Sequence, residues 1–185
     1  NDWKSFSKLT VIIIGRSIIF SGIITFIPLF WVNVLMQPTA KGAAVLSILF
    51  AFGVVITLFG GILSDKLGYN KTLMIFVSLI APLLFMLIKT NNIIFATVLL
   101  IPLGFSVFAP YSAMVVLGQT YLSKSVGFAS GITMGIALSI GGIVVPCLGW
   151  VADNYSLQQA MQILVYVALV ISVFTFFLPK PQNTT

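Results

Sequence analysis

Apolar residues run along this chain in six blocks, and polar residues collect in the short gaps between them. The blocks cover roughly 9–36, 42–63, 72–88, 93–118, 126–151 and 157–178. A helix needs about 20 apolar residues to cross a hydrocarbon core, and the block at 72–88 is near the short limit. No block alternates apolar and polar positions as a barrel strand does, and an open strand edge has no partner in lipid. The pattern predicts an all-α integral membrane fold with six transmembrane helices, neighbours antiparallel because the gaps are brief.

Composition sharpens that reading. Of the 185 residues 59% are hydrophobic and 6% charged, where a soluble domain carries about 25% charged residues. Mean hydropathy is +1.17. The formal net charge of +6 would suggest nucleic acid in a soluble protein. Here the lysines sit between apolar blocks rather than on one face, so no nucleic-acid partner is expected. There is no histidine and Cys147 is the sole cysteine. An internal disulfide is therefore excluded, and no metal site or cofactor is expected. The chain starts at Asn1 rather than Met, which predicts an upstream segment outside it.

Lysines set the expected direction. With six spans both termini share a side, and that side carries Lys4, Lys8, Lys66, Lys71, Lys124 and Lys180. The opposite gaps carry Lys41 and Lys89. The positive-inside rule then predicts a plasma (inner) membrane protein with cytoplasmic termini, Asp65 inside and Asp153 outside.

The second span ends Gly61-Ile-Leu-Ser-Asp65 and the fifth ends Gly149-Trp-Val-Ala-Asp153. The same motif at the same place in each half predicts two three-helix repeats of inverted topology, a device of secondary transporters. None of the 15 glycines falls in the third or sixth span. Small residues let helices approach closely, so those two spans are expected to face lipid, with the first, second, fourth and fifth packed inward around a pathway. In the fifth span Gly127, Gly131, Gly135, Ser139, Gly142, Pro146 and Gly149 recur every three or four residues. That spacing predicts one small-residue helix face, either a static packing surface or a sliding interface with another helix.

The stretch "GGILSDKLGYNK" resembles the cytoplasmic loop signature of the major facilitator superfamily. "RSIIFSGIITFIPLF", "LGQTYLSKSVGFASG" and "GGIVVPCLGWVAD" are similar to the carboxyl-terminal half of fosmidomycin-resistance-type transporters. The resemblance implies that residues 1–185 are spans seven to twelve of a twelve-helix fold. It further implies an amino-terminal six-helix half as partner, a small-molecule substrate moved by alternating access, and drug efflux in exchange for protons. The sequence departs from the signature where Tyr69 and Asn70 replace a basic pair, and elsewhere at Thr120 and Ser125.

Asp65 is one of three acidic residues. A carboxylate at a bundle mouth is stabilised by a neighbouring helix N-terminus, and a contact made in one conformation biases the equilibrium between conformations. The resemblance implies such a latch, with Lys66 and Lys71 nearby and Gly61 and Gly68 allowing tight turns. The plainer reading is that these charges mark the cytoplasmic ends of two spans. Arg16, about seven residues into the first block and so roughly 10 Å deep, would meet an anionic substrate or a carboxylate of the other half, or else snorkel to the interface. Thr25, Thr57, Ser106, Tyr111 and Ser112 are candidate pathway residues. Each serine or threonine could instead bond its own helix backbone.

Other classes fit less well. A serine protease needs a histidine partner, and an aspartyl type needs two carboxylates close together; Asp65 and Asp153 are expected on opposite sides. The chain is thus expected not to be an enzyme. A channel, a structural six-helix subunit, and uptake or exchange of another small organic anion or metabolite stay open.

Overall fold

A computed structural model describes residues 2–179, with side chains for all of these except 137 and 138. The described residues hold eight α-helices, one π-helical turn and no strand. These are α1 (Trp3–Asn33), α2 (Thr39–Leu67), α3 (Tyr69–Lys89), α4 (Ile93–Phe108), α5 (Pro110–Tyr121), α6 (Val126–Ser130), α7 (Ala137–Asn154) and α8 (Leu157–Phe176), with the π turn at Gly131–Ile136. Helices α4 and α5 run on as one span, Ile93–Tyr121, and α6, the π turn and α7 as another, Val126–Asn154. Six helices are thus long and apolar enough to cross a membrane. Lys180 lies outside the described residues.

The helices extend beyond the apolar blocks, and local chemistry sets their ends. Helix α1 begins at Trp3 rather than near residue 9 because Asp2 caps it, accepting the Ser5 amide at 3.0 Å. It stops before 36, where Met36 takes φ +52 and Pro38 follows. Helices α2 and α3 are separated by Gly68 alone, at φ +91, a conformation glycine adopts without steric cost. Asn92 caps α4 and Ser156 caps α8 through their side-chain oxygens. Pro110 divides the fourth span: it has no N–H, so the i→i−4 ladder opens and α5 restarts with proline in its first turn.

The glycine-free third and sixth spans pack on each other, and each keeps an exposed, mostly apolar face. Helix α3 has extensive contacts with α8 and with the two helices of the fourth span. Of the most apolar stretch of the third and sixth spans, 44% and 39% is buried, against 22% and 19% for the second and fifth spans. Each of the two helices buries a face of mostly bulky residues. On α3 Leu73, Val77, Ile80, Leu84 and Leu87 are buried at alternating spacings of four and three, the repeat that interlocks helices. Met161, Leu164, Ala168, Ile171 and Thr175 repeat similarly on α8.

Small residues act where α8 and α7 meet α1. A Cβ at Gly15 would collide with the Ile171 side chain, and one at Gly22 would come within 2.6 Å of Leu164. These contacts lie one heptad apart on each helix and run antiparallel. Since lipid is as apolar as leucine, helix association relies on such close fit. The first and fourth spans, each 56% buried, do pack inward as expected.

Candidate functional site

Arg16 stands thirteen residues into α1, about 20 Å along it by helical rise. Measured from the start of the apolar block the distance stays about 10 Å, because the turns of α1 before it carry Lys4, Ser5, Ser7 and Lys8. The side chain is 6% exposed, so it does not snorkel. It turns toward the break in the fourth span, where Nε and Nη2 donate to the Val107 carbonyl at 3.0 and 2.8 Å. The guanidinium lies 5.4 Å from the centre of the Phe20 ring and 5.2 Å from that of Tyr111, within cation–π range. A guanidinium carries five N–H groups, and the carbonyl takes two.

Beside it is a cavity of about 390 Å³ lined by Arg16, Phe20, Val54, Thr57, Leu58, Phe108, Tyr111 and Met134. These residues come from α1, α2, both sides of the fourth-span break and the π turn. The volume falls in the range of small-molecule sites, and the walls are mostly apolar with few polar groups, as such sites are. Thr57 Oγ1 donates to its own helix at the Gly53 carbonyl, and Ser106 Oγ does so at Pro102. Ser112 Oγ is buried without a hydrogen-bond partner, near Gly61 and off the cavity lining. Thr25 is half-buried and also outside the lining. Of the predicted pathway residues, the structure gathers Arg16, Thr57 and Tyr111.

A second cluster lies at one end of the bundle. Tyr69 donates its hydroxyl to Asp65 Oδ1 at 2.7 Å, across the turn formed by Gly68. Asp65, Lys66, Gly68 and Lys71 are all exposed. Asn70 donates from Nδ2 to the carbonyls of Leu178 and Pro179 at 3.1 and 2.8 Å, and Tyr121 donates its hydroxyl to Pro179 at 2.6 Å. The Asp2 amide donates to the Tyr121 carbonyl. The turn, the start of α1 and the residues after α8 are thus tied together. Asp153 is exposed at the other end, where Gln158 on α8 reaches Ile88 on α3.

The chain's glycines sort sharply. A Cβ at Gly60 would collide with the Ala109 carbonyl oxygen and come within 2.6 Å of its Cα. The second span therefore rests on the fourth-span break, backbone on backbone. At Gly61, the glycine of the signature, the nearest atom would be Ser112 Oγ at 3.7 Å.

No family model matches the chain. Two relatives do. The fosmidomycin resistance protein of Escherichia coli (strain K12) is 28% identical over 127 residues, covering 69% of this chain and 31% of that protein. An uncharacterized MFS-type transporter of Bacillus subtilis (strain 168), YfnC, is 31% identical over 134 residues, covering 71% of this chain and 32% of that protein. The chain is homologous to part of a major facilitator superfamily transporter. It is a multi-pass membrane protein, and the matched stretch spans about a third of either relative's length.

The fifth-span stripe does not pack as a tight internal contact. A Cβ at Gly127, Gly131, Gly135, Gly142 or Gly149 would meet nothing within 4 Å. Ser139 and Pro146 are exposed as well. The glycine that does pack is Gly141, off the stripe, pressed against Ser21 and the Ser17 carbonyl of α1. Spacing identifies a small-residue face, but not the direction in which the helix turns it.

Proposed function

We propose that this chain is the carboxyl-terminal six-helix half of a transporter that moves a small solute by alternating access. The reading is drug or antibiotic efflux of the fosmidomycin type, in exchange for protons, across the plasma (inner) membrane with both termini cytoplasmic. An amino-terminal six-helix half, outside this chain, is the partner. The observation that carries the reading is the Arg16 cavity: a mid-span cation, unpaired with any carboxylate of the lining, faces a mostly apolar space of substrate size.

Two further features support it. The second and fifth spans are the least buried, and the open glycine face of the fifth suits contact with another bundle. The inverted pair Asp65 and Asp153 fits two mirrored triplets, with Asp65, Lys66, Lys71, Gly61 and Gly68 acting as a conformational latch. Proton coupling would need a carboxylate from the other half, because neither Asp65 nor Asp153 lines the cavity.

The test is everted membrane vesicles carrying the full transporter. Saturable, gradient-dependent uptake of fosmidomycin, abolished by Arg16→Ala and by collapse of the pH gradient, supports the proposal. Flux that does not saturate points to a channel. Absence of flux with every small organic anion tried overturns transport.

A further inference from the structure

A second and larger cavity, about 560 Å³, opens between the end of α3 and the start of α8, away from the Arg16 site. Its polar wall includes Lys89, Asn91, Gln158, Gln162 and Tyr166. No acidic residue lines it; Asp153, at the same end, is exposed and outside the lining. Lys89 Nζ stands 5.7 Å from the centre of the Phe85 ring, so the ammonium rests against an aromatic face.

The polarity is graded along the helix. On α8 Gln162 and Tyr166 are one turn apart, and the exposed face then continues apolar through Val170 (56% exposed) and Val173 (53%). On α3, moving away from Lys89, the exposed face passes through Phe85 to Leu79 and Ile75. Both walls therefore run from polar at the bundle end to apolar toward its middle. Helix α8 has 20 residues, about 30 Å, which only just spans a hydrocarbon core. Gln162, five residues in, sits about 8 Å from its end. An amide at that depth on an outer surface is costly unless something polar reaches it.

We propose that this crevice binds an anionic phospholipid. The phosphate is held by Lys89 and the glutamine amides, and the acyl chains lie along the apolar faces of α3 and α8. The complementarity is of charge, since one cation faces no carboxylate, and of shape, since a headgroup cavity leads onto an apolar surface.

The test is native mass spectrometry of the full transporter in detergent, titrated with phosphatidylglycerol and with phosphatidylcholine. Phosphatidylglycerol is expected to bind several-fold tighter. Lys89→Ala should reduce that preference about five-fold, the effect of one basic residue on an anionic lipid, and Gln162→Leu should weaken both lipids. Both positions are at the surface, so unchanged melting temperatures should accompany these losses. Equal binding of the two lipids, untouched by either variant, overturns the proposal. So does glycerol 3-phosphate binding as tightly as the lipid, which would mark a soluble ligand. A dimer that disappears with Gln162→Leu would instead assign the crevice to a second copy.

Discussion

Tyr69 donates its hydroxyl to the Asp65 carboxylate across a one-residue turn. In the sequence Tyr69 reads as the loss of a basic residue. In the structure it is the group that holds the signature aspartate in place. An exposed bond of this kind contributes about 1 kcal/mol, enough to alter a two-conformer ratio roughly five-fold. Asp65→Asn is expected to raise labelling of cysteines placed in the cytoplasmic half of the cavity, and Tyr69→Phe should produce a smaller shift in the same direction. Unchanged labelling in both variants removes the latch.

Arg16 should tolerate no replacement that keeps only its charge. Lysine cannot make the paired donation to Val107 or stack between Phe20 and Tyr111 in the same way. Arg16→Lys is expected to retain under a tenth of transport, and Arg16→Met less still, with both proteins folded as judged by melting in detergent. Full activity in Arg16→Lys would show that the fixed geometry is dispensable.

Gly60 and Gly61 offer a direct comparison. A methyl group at Gly60 meets the backbone of Ala109, which no side-chain rotation relieves, whereas at Gly61 it meets ordinary contact. Gly60→Ala should destabilise by about 1–3 kcal/mol, the usual cost of overpacking. Gly61→Ala should be near neutral in a thermal or denaturant melt. Equal effects would refute the backbone contact.

The start of α1 should respond to acid. The Ser5 hydroxyl, and then its amide, donate to Asp2 and hold that carboxyl below its ordinary value of 3.8. A depressed native pKa contributes stability that is present above the unfolded value and lost as pH falls through the native one. Protection of the first-turn amides of α1, taken relative to their intrinsic exchange rate, is therefore expected to fall below about pH 4, and Asp2→Ala should show the lower protection at neutral pH. A pH-independent first turn in the parent chain would contradict this.

The six spans were legible because lipid demands long apolar blocks and internally satisfied backbone, and both leave marks that need no knowledge of neighbours. Arg16, Thr57 and Tyr111 stood out as polar residues in apolar surroundings. The rest of the cavity did not, since Phe20, Leu58, Phe108 and Met134 look like any span residues until the fold turns them to one place. Helix packing was hidden for a related reason. Glycine content reports how near a helix can come, but not which face it buries, and on α3 that face is Leu73, Val77, Ile80, Leu84 and Leu87. That repeat was present in the sequence and could have been found by its spacing.

The junction at Gly68 has a mechanical corollary. With a single residue joining α2 to α3, the hairpin has no slack in which to absorb a relative displacement. A tilt of α2 against the fourth span would be carried into α3 and, through the contact between α3 and α8, into α8. A movement begun at the Arg16 cavity would then arrive at the far side of the bundle as the swing of a stiff lever.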